Sequence, residues 1–199
     1  MWKGRAARAG VGYVFRMRTS ALLAAAGLLV ITLTGCQTDD PPIVPQPEPS
    51  TTPLFASEEE ALAAAEEAYA GYLAASDAVL AGGGLDPERT YPFLTKTMQE
   101  QQVESLKLYL DSGWHTSGAS VFDRFEVQQF VDYGGDGAEL SVYACLDVTN
   151  VRILDESGTD VTPETRPNVL PLELTFVAEA SPDMKIERSD LWSGDDFCA

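Results

Sequence analysis

The period of the apolar residues changes near Val121, and this change limits the fold more than any other feature of the sequence. Before it, apolar residues recur every three to four positions, as in amphipathic helices. After it, apolar and polar residues alternate, as in strands that bury one face. Helices that precede the strands, rather than alternating with them, predict the α+β class. We expect N-terminal helices packed on a curved antiparallel sheet of about four strands.

Two main helices are predicted in the first half of this region. The first spans 57–80, and Ser57 with Glu60 forms the S-x-x-E pattern of a capping box. A short turn should follow at Asp86-Pro87, and the second helix should span 95–110. In the first helix the predicted buried residues are Leu62, Ala65, Tyr69, Tyr72, Leu73, Ser76, Val79 and Leu80. In the second they are Met98, Val103, Leu106 and Leu110.

The second half of the sequence predicts an antiparallel meander. The segments 121–133 and 138–149 flank the glycine-rich turn 134–137, which is typical of a hairpin. A short extension at 151–154 precedes the strand 169–179, and a turn at 181–183 leads into the last strand. The predicted core-facing residues are Leu140, Val142, Ala144, Leu146, Val148, Leu170, Leu172, Leu174 and Phe176.

The N-terminus has the features of a secretory signal. Five basic residues and no acidic ones precede Asp39, and a mostly apolar run of 13 residues covers 21–33. A helix needs about 20 apolar residues to span a bilayer. A basic segment followed by a short apolar run therefore indicates a signal peptide rather than a membrane helix.

The apolar run ends in Leu33-Thr34-Gly35-Cys36, which resembles the bacterial lipobox. The resemblance implies that the thiol of Cys36 receives a diacylglyceryl group and that the chain is cut before it. Residues 1–35 would then be a lipoprotein signal peptide. Ordinary signal cleavage beside an incidental Cys36 is the alternative.

Residues 36–53 are predicted to be the lipidated cysteine and a proline-rich linker. Six prolines in 41–53 disfavour helix and sheet. Extended polyproline geometry at ~3.1 Å per residue would give the linker a reach on the order of 50 Å. A ligand for a proline-recognition domain is the alternative reading. Residues 54–199 are predicted to form a single α+β domain.

The charge of the chain limits its partners. The net charge of the whole sequence is -18. Without the predicted signal peptide, eight basic and 31 acidic residues remain, so the mature chain has a net charge of -23. Nucleic acid is excluded as a partner because its phosphates require a basic surface. The same charge disfavours anionic headgroups, so the predicted contact with the cell membrane is the lipid on Cys36. This places the mature chain on the extracytoplasmic face of that membrane.

The cysteine count predicts one disulfide. If Cys36 is lipidated, Cys145 and Cys198 remain as an even pair in a compartment that permits disulfides. The bond would close a loop of 53 residues, worth ~4 kcal/mol in the chain-entropy model. No metal site or cofactor is expected, because His115 is the sole histidine and redox cysteines usually occur as close pairs.

Residues 55–199 resemble the nuclear transport factor 2-like (SnoaL-like) cone fold, as found in a group of secreted actinobacterial lipoproteins. The resemblance lies in the acidic helix 57–80 and the short motifs at 91–95, 143–147, 158–163 and 192–198. It implies a cone-like domain. The superfamily contains isomerases, cyclases, dehydratases and binding domains, so the resemblance does not select an activity.

Three functions are compatible with the sequence. The first is a non-catalytic, lipid-anchored domain that binds a small apolar ligand in the cone or an envelope protein on its surface. The second is an isomerase or hydratase with a pocket carboxylate, and the third is a structural envelope component. No catalytic residue is assigned, and calcium is not expected at 155–160 because that loop lacks the EF-hand spacing. The ionisable residues available to an enzyme pocket are Tyr91, His115, Asp123, Asp132, Tyr133, Tyr143 and Asp147.

Overall fold

The computed structural model describes residues 52–194 and 197–198. The predicted signal peptide, Cys36 and the linker up to residue 51 lie outside these residues. All described residues belong to one compact unit.

Helix α1 (Glu58–Ala81) begins at the predicted capping box. The hydroxyl of Ser57 accepts a hydrogen bond from the amide of Glu60 at 3.2 Å, and the Glu60 carboxylate accepts one from the amide of Ala56 at 2.7 Å. Three glutamates occupy the first turn, where the helix dipole stabilises negative charge. The helix ends at Ala81 with Gly82 as its C-cap, so the predicted bounds are confirmed to within a residue.

The buried face of α1 is built largely from small residues. Ala61, Ala65, Tyr69, Leu73 and Val79 are buried, together with Ala68. Leu62, Tyr72, Ser76 and Leu80 are only half-buried, so the buried stripe is rotated towards the alanines. Alanine at the contact lets the helix backbone lie close to the sheet.

A 3-10 helix (Pro87–Phe93) and helix α2 (Lys96–Ser112) follow α1. The Thr95 hydroxyl accepts the amide of Met98 at 3.4 Å and caps α2. Gly113, with φ of 64°, ends the helix in the left-handed region that favours glycine.

The predicted inward face of α2 is partly wrong. Leu106 is buried, but Val103 and Leu110 are 37% and 47% exposed. The inner face of the sheet is covered by α1, whereas α2 packs mainly against the 3-10 helix and the last strand, with Gly84 beside Leu106 and Leu110. These contacts bury Leu106 and leave the sides of α2 that carry Val103 and Leu110 exposed to solvent.

The strands form two antiparallel sheets. The larger has the order β2-β3-β5-β6, and the smaller pairs β1 with β4. The strands are β1 (His115–Ser117), β2 (Val121–Asp132), β3 (Ala138–Asp147), β4 (Arg152–Leu154), β5 (Val169–Ala178) and β6 (Lys185–Leu191). The predicted four-stranded meander and the α+β class are confirmed, while the small sheet was not predicted.

Alternation along β3 and β5 gives the large sheet one apolar face. Leu140 pairs with Phe176 and Val142 with Leu174, and these four side chains are buried with those of α1. We call this side the inner face. Tyr143, on the opposite side, pairs with Glu173 on what we call the outer face. A register slip of one residue would exchange the two faces.

Candidate functional site

The space between α1 and the inner face is filled by aromatic side chains. Tyr69 is the centre of this group, and the pKa of its phenol is raised by burial and, second, by Tyr72. The ring centroids closest to Tyr69 are those of Phe122 at 5.0 Å, Phe125 at 5.8 Å, Tyr72 at 6.1 Å and Phe176 at 6.3 Å. This arrangement is that of a packed core.

The outer face carries the predicted disulfide. Cys145 is bonded to Cys198, with the two Cα atoms 5.7 Å apart. Although Cys145 lies on the polar side of β3, it is only 1% exposed. The disulfide that the cysteine count predicted therefore holds the C-terminal tail against the sheet.

Two aromatic residues of the tail add contacts that the sequence did not predict. The rings of Trp192 and Phe197 lie 4.8 Å and 5.1 Å from that of Tyr143. The guanidinium of Arg124 donates to the carbonyl oxygen of Phe197. A side chain at Gly194 would overlap the Trp192 indole, at 2.5–2.6 Å from its nearest atoms. Tyr143 is thus a packing residue rather than an available acid.

Asp132, a candidate pocket carboxylate, performs a structural role. Its oxygens accept the amides of Leu54 at 2.8 Å, Phe55 at 2.9 Å and Gly134 at 2.7 Å. These bonds, with the amide of Phe55 contributing most, hold the pKa of Asp132 below its usual value. The carboxylate connects the segment before α1 to the β2–β3 hairpin.

Asp132→Asn is expected to lower the urea midpoint of unfolding near neutral pH. A carboxyl group with a depressed native pKa stabilises the fold above its unfolded pKa, and this contribution is lost as pH falls through the native pKa. The difference from wild type should therefore stay constant from neutral pH down to about pH 5 and shrink only as the pH falls further. Asp123→Asn, which changes an exposed carboxylate on the same strand, is the control. An equal effect of both substitutions would contradict the assignment.

The other candidate catalytic residues are spread over the outer face of the sheet, the hairpin turn and the 3-10 helix. Asp147 accepts the amide of Thr149 at 2.7 Å, while Asp123 is exposed and pairs in register with Cys145. Tyr133 is 56% exposed beside the hairpin turn, and Tyr91 lies in the 3-10 helix. Asp123 and Asp147 are diagonal neighbours on the outer face, whereas Tyr133 lies at the other end of that strand pair and Tyr91 on another element.

The acidic loop after β4 supplies its own hydrogen-bond donors. An Asp155 oxygen accepts the amides of Ser157 and Thr159 at 2.8 Å and 2.9 Å. Asp160 accepts the amide of Thr162 and forms an ion pair with Arg152. Among the described residues, no group of three or more acidic, histidine or cysteine side chains could hold a metal ion.

A groove of about 540 Å³ lies where the C-terminal ends of α1 and α2 meet β1. We call it the helix-end groove. Its lining includes Leu85, Leu110, His115, Glu156 and the aromatic pair Tyr109 and Trp114. The rings of this pair are perpendicular, with centroids 6.2 Å apart. Burial raises the pKa of Tyr109, while nearby Arg166 has a smaller lowering effect. This phenol is a hydrogen-bond donor rather than a base near neutral pH.

A larger groove of about 780 Å³ lies between the start of α2 and the β5–β6 hairpin. Its charged lining residues, Lys96, Glu179, Asp183 and Lys185, are exposed and of both signs. Mixed exposed charges of this kind select no particular ligand.

The predicted site of membrane attachment, Cys36, lies outside the described residues. Within residues 52–194, no helix has both the length and the apolar character needed to cross a bilayer.

Comparison with known proteins gives a distant structural likeness. No protein-family model matches the chain, and no curated protein matches its sequence. The intermembrane space region of the chloroplast protein ARC6 superposes with a TM-score of 0.46 at 13% identity, covering 67% of this chain and 97% of that one. A periplasmic fragment of TraM does so with a TM-score of 0.43 at 10% identity, covering 68% and 96%. Likeness at this level carries no functional conclusion, and the resemblance to the nuclear transport factor 2-like fold stays a prediction.

Proposed function

We propose that the protein is a lipid-anchored extracytoplasmic lipoprotein whose folded domain acts by binding another envelope protein, not by catalysis. The proposal of binding rather than catalysis rests on the packing of the inner face. The rings that occupy the space between α1 and the sheet are those of Tyr69, Phe122, Phe125 and Phe176. In a cone-like enzyme or carrier this is the space where a substrate or ligand would bind. The remaining surface is then the part of the domain available for recognition.

The placement of ionisable groups supports the same choice. An enzyme site brings together at least two such groups within hydrogen-bond reach of a substrate. Among the described candidates, Asp132 and Asp147 are engaged by backbone amides, and Tyr143 is covered by the tail. These contacts favour an interaction domain over the isomerase or hydratase alternative.

The anchoring part of the proposal rests on the order of leader, lipobox and linker. Two acyl chains give stable membrane attachment where one gives only marginal binding. A mature chain of net charge -23 is not attracted to anionic headgroups. Its attachment to the membrane would therefore depend on the lipid on Cys36. The disulfide suits the oxidising compartment that this anchoring implies.

Cys36→Ser is expected to abolish lipid attachment and cleavage before residue 36. Growth with labelled palmitate, followed by membrane fractionation and intact-mass measurement, would show an unlabelled precursor or a released chain. Gln37→Ser, which changes the adjacent residue outside the motif, should keep both label and membrane retention. Labelled, membrane-bound Cys36→Ser protein would overturn the anchoring proposal.

A further inference from the structure

We propose that the helix-end groove binds an arginine or lysine side chain presented by an extended, partly apolar segment of the partner protein. This inference rests on the proposed interaction function and specifies its partner. The groove is defined, as above, by Leu85, Tyr109, Leu110, Trp114 and Glu156, with His115 at the start of β1.

The aromatic pair provides the surface on which a cation is stabilised. Tyr109 and Trp114 meet edge to face, with an interplanar angle of 84°. In this geometry each ring keeps at least one face that its partner does not cover. Both side chains are half-buried, which holds the rings in place before binding. A cation over such a face, best over tryptophan, is attracted by the ring quadrupole.

Glu156 provides the opposite charge beside these rings. Its side chain lies over Gly113, the residue before Trp114, and a side chain at Gly113 would overlap the Glu156 carboxylate. Glu156 is exposed and forms no ion pair within residues 52–194. The lining contains no lysine or arginine. Arg166 lies outside the lining, and one nitrogen of its guanidinium donates to the carbonyl oxygens of Val148 and Val151 at 3.0 Å and 2.8 Å. Its Nε has no hydrogen-bond partner among the described residues, and its charge lowers the pKa of Tyr109, so Glu156 has to outweigh it at the groove.

The rim and the overall charge indicate what carries the cation. Leu85 and Leu110 are 61% and 47% exposed on the rim, where apolar residues on either side of the cation would cover them. The groove is an open depression, which suits a side chain on a peptide rather than an enclosed small molecule. The net charge of the mature chain, -23 after loss of the predicted signal peptide, would also steer a basic segment towards the domain.

The test uses the protein as the cell produces it, purified from membranes in detergent or, if it is released, from the medium, with its tryptophan indoles labelled with ¹⁵N. Trp114 lines the groove and Trp192 packs on the outer face, so the two indole resonances report the site and a control. The probe is a pentapeptide, Leu-Ala-Arg-Ala-Leu, blocked at both ends. Its control carries neutral citrulline in place of arginine. We expect saturable shifts of the Trp114 indole alone, and affinity at least about tenfold weaker for the citrulline peptide.

Two matched substitutions test whether the Glu156 carboxylate provides the negative charge of the groove. Glu156→Gln should weaken binding of the arginine peptide at least about fivefold, while Glu139→Gln, the same change at an exposed site on β3, should alter it less than about twofold. An unchanged Trp192 indole signal would show that both variants are folded. Equal binding of the two peptides, equal effects of the two substitutions, or no shift at Trp114 would overturn the proposal. These outcomes are independent of the Cys36→Ser test, which can fail or succeed separately.

Discussion

Phe176→Ala is expected to lower the free energy of unfolding by about 3–5 kcal/mol, which is a large part of a typical domain's stability. Phe176 is 0% exposed on β5, and its ring packs on those of Phe125 and Tyr69 at 5.8 Å and 6.3 Å. Truncation removes these contacts and leaves a cavity that alanine cannot fill. Urea unfolding of the purified mature protein, followed by far-UV circular dichroism, measures the change.

The control for this prediction is an exposed apolar residue. Leu108→Ala changes a side chain that is 57% exposed on α2 and should shift stability by no more than about 0.5 kcal/mol. Comparable losses in the two variants would mean that the aromatic group is not the centre of the core.

Cys198→Ser combined with Cys145→Ala is expected to lower the free energy of unfolding by about 4 kcal/mol. The disulfide closes a loop of 53 residues, and its loss restores the conformational freedom of that loop in the unfolded chain. Alanine is chosen at 145 because this position is buried, where a serine hydroxyl would add an unrelated cost. The loss of tail packing on Tyr143 acts in the same direction.

Reduction with dithiothreitol distinguishes the effect of losing the disulfide from the effect of changing the two side chains. Reduced wild-type protein should unfold at about the same urea concentration as the variant, and the variant should not respond to the reductant. Titration with Ellman's reagent would verify that reduction of the wild-type disulfide is complete. Wild-type protein that is fully reduced yet unchanged in stability would contradict the prediction.

Local signals predicted the helix ends and the strand faces. Ser57 and Glu60 make their contacts within four residues, and Gly113 ends α2 through its own backbone conformation. Alternation along β3 identified Leu140, Val142 and Ala144 as core residues, because the side-chain period of a strand is two whatever the partner. Such features depend on neighbours in sequence and are therefore predictable.

Features that depend on distant partners could not be predicted. The exposure of Val103 and Leu110 follows from which element covers α2, and helical periodicity does not contain that information. The role of Asp132 depends on amides about 78 residues earlier in the chain. The strands β1 and β4 have three residues each, too few for a period to be recognised. The contact between Tyr109 and Trp114 is local, but the sequence does not fix the direction in which the chain leaves α2 through Gly113, so this contact was not predicted.

The length of α1 separates the point where the chain enters the fold from the groove proposed as a binding site. The chain joins the fold at Leu54 and Phe55, immediately before α1, where Asp132 holds both amides. The helix-end groove begins at Ala81, the last residue of α1. At 1.5 Å per residue, a helix of 24 residues places these points about 36 Å apart. A linker attached before the first residue of α1 would leave the helix-end groove unobstructed. The proposed membrane anchor and the proposed binding site would then not compete for the same surface.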